Sequence, residues 1–192
     1  YKSLTKQEVT AELQKSGILP TIDHVNLFLT WGEVEGIVCS GIDKGKKTTY
    51  ALLDERVPPT RELCREEALA RLASRYFQSH SPAQLQDFVW WSGLTATECR
   101  LAINLIKAEL MTETFDSREY FIHQSWKGKN ESEPVLRLLP AFDEYLISYK
   151  NRTDVLPLEH HPKAFNRFGT FYPVILYNGK IIGNWSRSIK KN

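Results

Sequence analysis

The same order of helix and strand patterns occurs twice in the first two thirds of this 192-residue chain. In the first copy, the capping box over residues 5–8 predicts a helix to about Ser16, and Pro20-Thr21 opens a second helix. Short strands are then predicted over residues 37–39 and 48–53, joined by a polar turn. Helix, helix, strand, turn and strand is the order at the end of a winged helix, a helix-turn-helix module with a β-hairpin wing.

The second copy is complete. Three helical patterns and two strand patterns follow one another, over residues 60–79, 84–91, 95–110, 111–115 and 120–124. Gly93 is suited to end the middle helix, and Thr95 with Glu98 forms the capping box of the third. Three helices and a hairpin within about 65 residues predict a full winged helix.

Beyond a polar linker over residues 126–134, the patterns become β-like. Strands are predicted over residues 135–139, 173–177 and 180–185. Asn178-Gly179 lies between the last two, and this dipeptide between apolar runs is a strong hairpin signal. We therefore expect a small C-terminal β-sheet or partial β-barrel domain.

These patterns divide a mixed α+β chain into three parts. They are an N-terminally incomplete winged helix (1–58), a complete winged helix (59–125) and a C-terminal β domain (126–192). The formal net charge is only +2, which does not by itself indicate nucleic acid. However, the first two parts have net charges of −1 and −2, whereas the third has 11 Lys and Arg against 6 Asp and Glu. The cation excess therefore belongs to the β domain, which should attract phosphates.

Other features limit the class of protein. The apolar runs are far shorter than the roughly 18 residues of a membrane-spanning helix. Three widely spaced cysteines without a C-x-x-C pair favour a reducing cytoplasm. Because the chain begins at Tyr1 and its one Met is residue 111, we expect a fragment of a longer protein. We also expect a monomer without membrane association.

One helix face of the second winged helix has the residue types of a DNA-reading surface. Its polar side chains fall at steps of three, four and three, and are Thr97, Arg100, Asn104 and Lys107. Such groups can meet phosphates or base edges when the helix lies in the major groove. The same face could equally be an ordinary solvated surface. In the first winged helix, Lys46 and Lys47 form a candidate wing tip, or a solvated turn.

Further candidate DNA contacts lie in the C-terminal part. They are Lys163, Asn166 and Arg167, with Lys180 and Arg187 around the Asn178-Gly179 hairpin. Aromatic residues Phe165, Phe168 and Trp185 are interleaved with them. This composition suits a surface that follows a duplex backbone or enters a minor groove. Core packing is the alternative role for Trp185.

Two other groups have residue types that can support chemistry. Asp143-Glu144 could act as a base, although carboxylates held by Arg137, Arg152 or backbone donors are the structural alternative. Residues 159–161 are Glu-His-His, but adjacent histidines diverge and no third metal ligand is spaced near them. We assign no metal, no cofactor and no catalytic residue.

Three segments, 68–106, 138–152 and 168–187, resemble the bacterial tandem winged-helix DNA glycosylases. The first of them contains the most specific run, RYFQSHSPAQLQDFVWWSGLT. The resemblance implies tandem winged helices and a C-terminal β domain that cradle duplex DNA. It also implies hydrolysis of the N-glycosidic bond of alkylated or crosslinked purines.

The resemblance assigns no catalytic residue to this chain. The family's signature, Gln-aliphatic-Gln or Gln-aliphatic-Asp, belongs to an N-terminal module, after which this chain is expected to begin. Residues 84–86 are Gln-Leu-Gln, but they begin a short helix in a later module. Two alternatives remain: a non-enzymatic winged-helix DNA-binding protein or transcriptional regulator, and a pair of protein-interaction modules. Neither needs a small-molecule cofactor.

Overall fold

The chain folds into two compact units, Tyr1–Glu62 and Leu63–Asn192. The computed structural model describes residues 2–128 and 134–189. Within these ranges, no helix is both long and apolar enough to cross a lipid bilayer. The predicted linker therefore falls partly outside the described residues, at 129–133.

The first unit contains three helices and one two-stranded sheet. Its elements are α1 (Lys6–Lys15), α2 (Ile22–Val34), β1 (Val38–Ser40), β2 (Tyr50–Leu52) and α3 (Leu53–Arg56). The capping box predicted at Thr5 is confirmed, since its hydroxyl accepts from the Glu8 N–H and the Glu8 carboxylate accepts from the Thr5 N–H. The antiparallel pair β1–β2 is also as predicted. The sequence patterns missed α3, which has only four residues.

The second unit begins with a helical half. Its elements are α4 (Arg65–His80), α5 (Leu85–Ser92), α6 (Ala96–Leu105), β3 (Leu110–Phe115) and β4 (Arg118–His123). The prediction that the third helix continues to about Leu110 is wrong. A 3-10 turn occupies Lys107–Glu109, and Leu110 already pairs with His123 in the sheet. The hairpin turn is tighter than predicted, because Asp116 and Ser117 both adopt positive φ and β4 starts at Arg118.

The second unit ends in a half that mixes short helices with a sheet. Its elements are β5 (Leu136–Leu139), α7 (Glu144–Ile147), α8 (His161–Ala164), β6 (Val174–Tyr177) and β7 (Lys180–Asn184). The strands form an antiparallel sheet in the order β5-β6-β7. The predicted hairpin is confirmed: Tyr177 pairs with Lys180, and Asn178 and Gly179 both have positive φ. The three strands β5, β6 and β7 form an open sheet, which corresponds to the sheet alternative of the predicted C-terminal domain. The patterns missed α7 and α8.

Aromatic packing forms the core of the helical half. The ring centroid of Tyr76 lies 5.1 Å from that of Phe77 and 5.0 Å from that of Phe88. Phe77 and Phe88 are themselves 5.6 Å apart, and all three side chains are buried. A separate cluster that includes Leu146 and Val174 fills the space beneath the C-terminal sheet. Tightly packed rings of this kind leave little room for relaxation after truncation.

This packing gives a stability prediction. Phe77→Ala should lower the free energy of unfolding of the second unit by about 3–5 kcal/mol, because it removes a fully buried ring and leaves a cavity. Phe115→Ala is the matched control, since Phe115 is 65% exposed at the end of β3, and it should change stability by less than about 0.5 kcal/mol. Urea unfolding followed by circular dichroism measures both. Equal losses would show that this cluster is not the core.

Candidate nucleic-acid interface

Three of the four polar side chains predicted on one face of the third helix are brought together: Arg100 and Asn104 lie on α6, and Lys107 lies in the 3-10 turn that follows it. Arg100, Asn104 and Lys107 line a concavity of about 440 Å³ between α6 and the β3–β4 hairpin. Arg100 and Asn104 point outward because the opposite face of α6, with Cys99 and Ala102, is buried against α4 and α5. Among the described residues, neither Arg100 nor Lys107 forms an ion pair. Glu119 of β4 contributes the one carboxylate in the lining of this concavity.

The start of α6 is fixed by a capping network. The Thr95 hydroxyl accepts from the Glu98 N–H at 3.2 Å, and the Glu98 carboxylate accepts from the Thr95 N–H at 3.0 Å. Arg65 of α4 donates to the same carboxylate. The Thr95 N–H and hydroxyl, followed by Arg65, lower the pKa of Glu98 to about 2. The network therefore sets the direction in which Arg100 and the following residues project.

The basic turn of the first unit keeps only part of its charge free. Lys44 and Lys47 exchange two backbone hydrogen bonds, and Gly45 adopts a positive φ of 66° at the tip. The Lys44 ammonium donates to both oxygens of Glu8, at 2.7 and 2.8 Å, and it is the main cause that lowers the Glu8 pKa to about 2. Lys47 lies 3.4 Å from the Gln7 amide oxygen. Lys46 is exposed and forms no ion pair with any described residue.

The C-terminal candidates are engaged to different degrees. Lys163 and Arg187 are exposed, and their side chains make no ion pair among the described residues. Arg167 lies over the Phe168 ring, 4.7 Å from its centre. Lys180 donates to the Asp154 carbonyl at 2.6 Å.

Asn166 has a structural role in its own loop. Its side-chain oxygen accepts from the backbone N–H groups of Phe168 and Thr170, and its amide nitrogen donates to the Tyr172 hydroxyl. Trp185 is half-buried, and its indole N–H donates to the Leu139 carbonyl at 2.8 Å. Both side chains therefore use hydrogen-bonding groups to hold the C-terminal half together.

The candidate catalytic carboxylates also have local partners. Asp143 caps α7 by accepting from the Tyr145 N–H, and the neighbouring Glu144 is exposed, 3.7 Å from the His80 ring. His161 lies 3.2 Å from the Leu156 carbonyl. In residues 2–128 and 134–189, no group of three His, Cys, Asp or Glu side chains is placed to hold a metal.

Gln84 and Gln86 do not converge on one site. Gln84 lines a concavity with Asp87, Tyr120 and other residues, whereas Gln86 lines a different one. Gln84 is the residue that precedes α5, whereas Gln86 lies in the first turn of that helix. The letter pattern Gln-Leu-Gln is therefore not a paired site here.

The sequence patterns missed a junction between α5 and the segment after α7. The buried Asp87 carboxylate accepts from the Gln84 N–H at 2.9 Å and from the Lys150 N–H at 2.8 Å. The Trp90 indole N–H donates to the Ile147 carbonyl at 2.9 Å. The Lys150 ammonium consequently lies 4.6 Å from the centre of the Trp90 ring. An acidic residue three positions after the N-cap, as Asp87 is after Gln84, is a local capping signal in the sequence. The second donor, the Lys150 N–H, lies 63 residues away and has no such signal.

The described residues form a mixed α+β fold, and α6 has an exposed polar face. The family model for the DNA glycosylase AlkZ-like family matches residues 2–191, and the chain belongs to that family. The resemblance seen in the sequence is thereby confirmed at the level of the family.

Two comparisons with individual proteins agree with this assignment. An interstrand DNA cross-link repair glycosylase of Streptomyces sahachiroi is 25% identical over 197 residues, covering 95% of this chain and 53% of the relative. The solved structure of Streptomyces sahachiroi DNA glycosylase AlkZ has a TM-score of 0.74 at 21% identity, covering 96% of this chain and 53% of that chain. The fold is therefore shared, and this chain spans about half the length of both matches.

The capping network gives a pH prediction. Because the pKa of Glu98 is lowered from 4.5 to about 2, its ionised form stabilises the fold above about pH 4.5, and this contribution is lost as the pH falls towards 2. Glu98→Gln should therefore flatten the fall of the urea midpoint below about pH 5. Glu113→Gln, which removes an exposed carboxylate on β3, is the control and should leave the acid-dependent fall unchanged. An unchanged fall in Glu98→Gln would contradict the assignment.

Proposed function

We propose that this chain is the duplex-DNA-binding part of a tandem winged-helix DNA glycosylase that acts on alkylated or crosslinked purines. In this proposal α6 is the recognition helix and β3–β4 is its wing. The C-terminal sheet region supplies further phosphate contacts. Family membership and the arrangement of side chains on α6 support the proposal.

The observation that carries the proposal is the exposed polar surface formed by α6 and the 3-10 turn that follows it. Arg100, Asn104 and Lys107 are exposed, share one concavity, and form no ion pair with the described residues. Arginine and lysine can donate to guanine edges or phosphates, and asparagine can pair with adenine. An antiparallel hairpin lies directly beside them. A helix with a free polar face next to a hairpin is the arrangement of a winged helix on DNA.

The C-terminal residues support a second, sequence-independent set of contacts. Lys163, Arg167 and Arg187 are exposed cations, and they lie in the part of the chain with the cation excess. Phosphate contacts of this kind position a protein on a duplex but read no sequence. In the first unit, Lys46 adds one more free cation at its turn. Asn166 and Lys180 are the weakest of the proposed contacts, because their side chains already have intramolecular partners.

The proposed reaction makes modest demands on the protein. Hydrolysis breaks the bond between the purine nitrogen and the sugar C1′, and the oxygen of a water molecule bonds to C1′ while that water loses one proton to the solvent. An alkylated purine that already bears a positive charge leaves as a neutral base, which makes this bond easier to break. Holding the duplex so that a water and the damaged nucleotide are aligned is therefore a large part of the task. The residues of this chain are assigned to that holding role.

The first test is the salt dependence of duplex binding. We expect weak binding without sequence preference, with log K falling against log salt at about 0.9 per phosphate contact, or roughly 2–4 in total. Fluorescence anisotropy with a labelled duplex, titrated at several salt concentrations, measures the slope. An affinity that does not change between low and moderate salt would contradict the proposal.

The second test separates the two surfaces. Arg100→Ala with Lys107→Ala, and Lys163→Ala with Arg167→Ala, should each weaken duplex binding and lower the salt slope by roughly one per lost phosphate contact. Arg71→Ala with Arg75→Ala, two exposed cations on α4, is the matched control and should have a smaller effect. If only the α6 pair matters, and binding depends strongly on the base sequence, a transcriptional regulator becomes the better description.

A further inference from the structure

A concavity that the sequence analysis did not identify lies next to the face of α6. It is formed by α5 and the start of α6, and it has a volume of about 440 Å³. We call it the Trp90 concavity. Its lining includes Gln86, Trp90, Leu94, Arg100 and Lys150. Arg100 also lines the concavity between α6 and the β3–β4 hairpin, so the two concavities adjoin. Its volume lies within the range of about 300–1,000 Å³ that is usual for small-molecule sites.

The charge of the Trp90 concavity distinguishes it from its neighbours. Its lining contains two cations, Arg100 and Lys150, and no carboxylate. Three other concavities of comparable size each include Asp87, Glu119 or Asp154 in their lining. Neither cation forms an ion pair with a described residue. The Trp90 concavity is therefore suited to an anionic ligand.

The walls of the concavity are apolar and partly aromatic. Trp90 is 47% exposed, although its indole N–H is held by the Ile147 carbonyl. Leu85, Val89 and Leu94 are partly buried side chains that pack on the core and form the apolar wall. An exposed tryptophan held in a fixed orientation offers a large, rigid contact surface at little entropic cost. Gln86 adds an exposed amide, which can both donate and accept.

We propose that the Trp90 concavity binds one unpaired nucleotide of DNA. The base would pack on the apolar wall beside Trp90 with its edge towards Gln86, and its phosphate would lie between Arg100 and Lys150. A base within a duplex has both faces covered by stacking, so that an intact duplex offers a protein only base edges, sugars and phosphates. An apolar wall flanked by two cations instead matches a nucleotide that has left the stack. This inference rests on the proposed function, because it extends the DNA surface beyond α6.

The test compares two duplexes that differ by one unpaired adenosine. The full chain should bind the bulged duplex at least about fivefold more tightly than the perfect duplex in anisotropy titrations, since hydrogen bonds from a charged ammonium and an amide to one nucleotide are typically worth at least this much. The double variant Gln86→Ala with Lys150→Gln should abolish the preference. Lys150→Gln keeps the backbone N–H that Asp87 binds, so the local structure is retained. Arg100 is left unchanged, because it also belongs to the proposed duplex contact.

A matched control removes the same groups elsewhere. Gln78→Ala with Arg71→Gln changes one exposed amide and one exposed cation on α4, and it should keep the preference. A preference that survives in the Gln86 and Lys150 variant, or is absent from the unmodified chain, overturns the inference. If the perfect duplex still binds in a salt-dependent manner, the proposed function stands.

A smaller probe separates the two proposals completely. If neither duplex binds, the proposed function fails, and the site is then tested with deoxyadenosine monophosphate alone. Saturable binding in calorimetry that is lost in the Gln86 and Lys150 variant supports the site by itself, and the absence of binding overturns it. Equally tight binding of a glutamate-rich peptide, without preference for the bulge, would assign the cations to an acidic protein and would also overturn the inference.

Discussion

The buried carboxylate of Asp87 is the interaction on which the second unit depends. It is 4% exposed, and it accepts the N–H groups of Gln84 at the start of α5 and of Lys150 after α7. A charged group is buried at low cost only where hydrogen bonds replace its water, and these two donors lie on segments more than sixty residues apart. Removing the carboxylate would leave both N–H groups without this partner. Through this one side chain, the helical half fixes the path of the segment that carries Lys150.

Arg152 completes the same junction from the C-terminal side. Its Nε donates to the Leu146 carbonyl at 2.5 Å, and its guanidinium lies 5.2 and 5.3 Å from the centres of the Phe165 and Phe171 rings. Burial lowers the pKa of Arg152, although the nearby Asp87 opposes this effect. Nη2 has no hydrogen-bond partner among the described residues, so aromatic faces replace part of the water that a guanidinium would otherwise bind. Helices and sheet are thereby joined in one compact unit.

The surfaces assigned to DNA follow from which cations are free rather than from the total charge. Lys44, Arg65 and Arg118 are held by Glu8, Glu98 and Asp154, so their charge serves the fold. Cations such as Arg100 and Lys150 have no such partner, and they line adjoining concavities. A net charge of only +2 is therefore compatible with a basic contact surface, because pairing removes much of the charge from other parts of the molecule.

Local signals were enough to predict the features that depend on neighbouring residues. The capping boxes of α1 and α6, the Asn178-Gly179 turn and the outward face of α6 all involve residues within a few positions of one another, and the structure has each of them. The residues alone also supported the family. The tertiary structure decided where α6 ends, because Leu110 is drawn into a sheet with His123. It also decided that Lys150 meets Trp90, since that contact depends on hydrogen bonds between distant segments, which no local periodicity records.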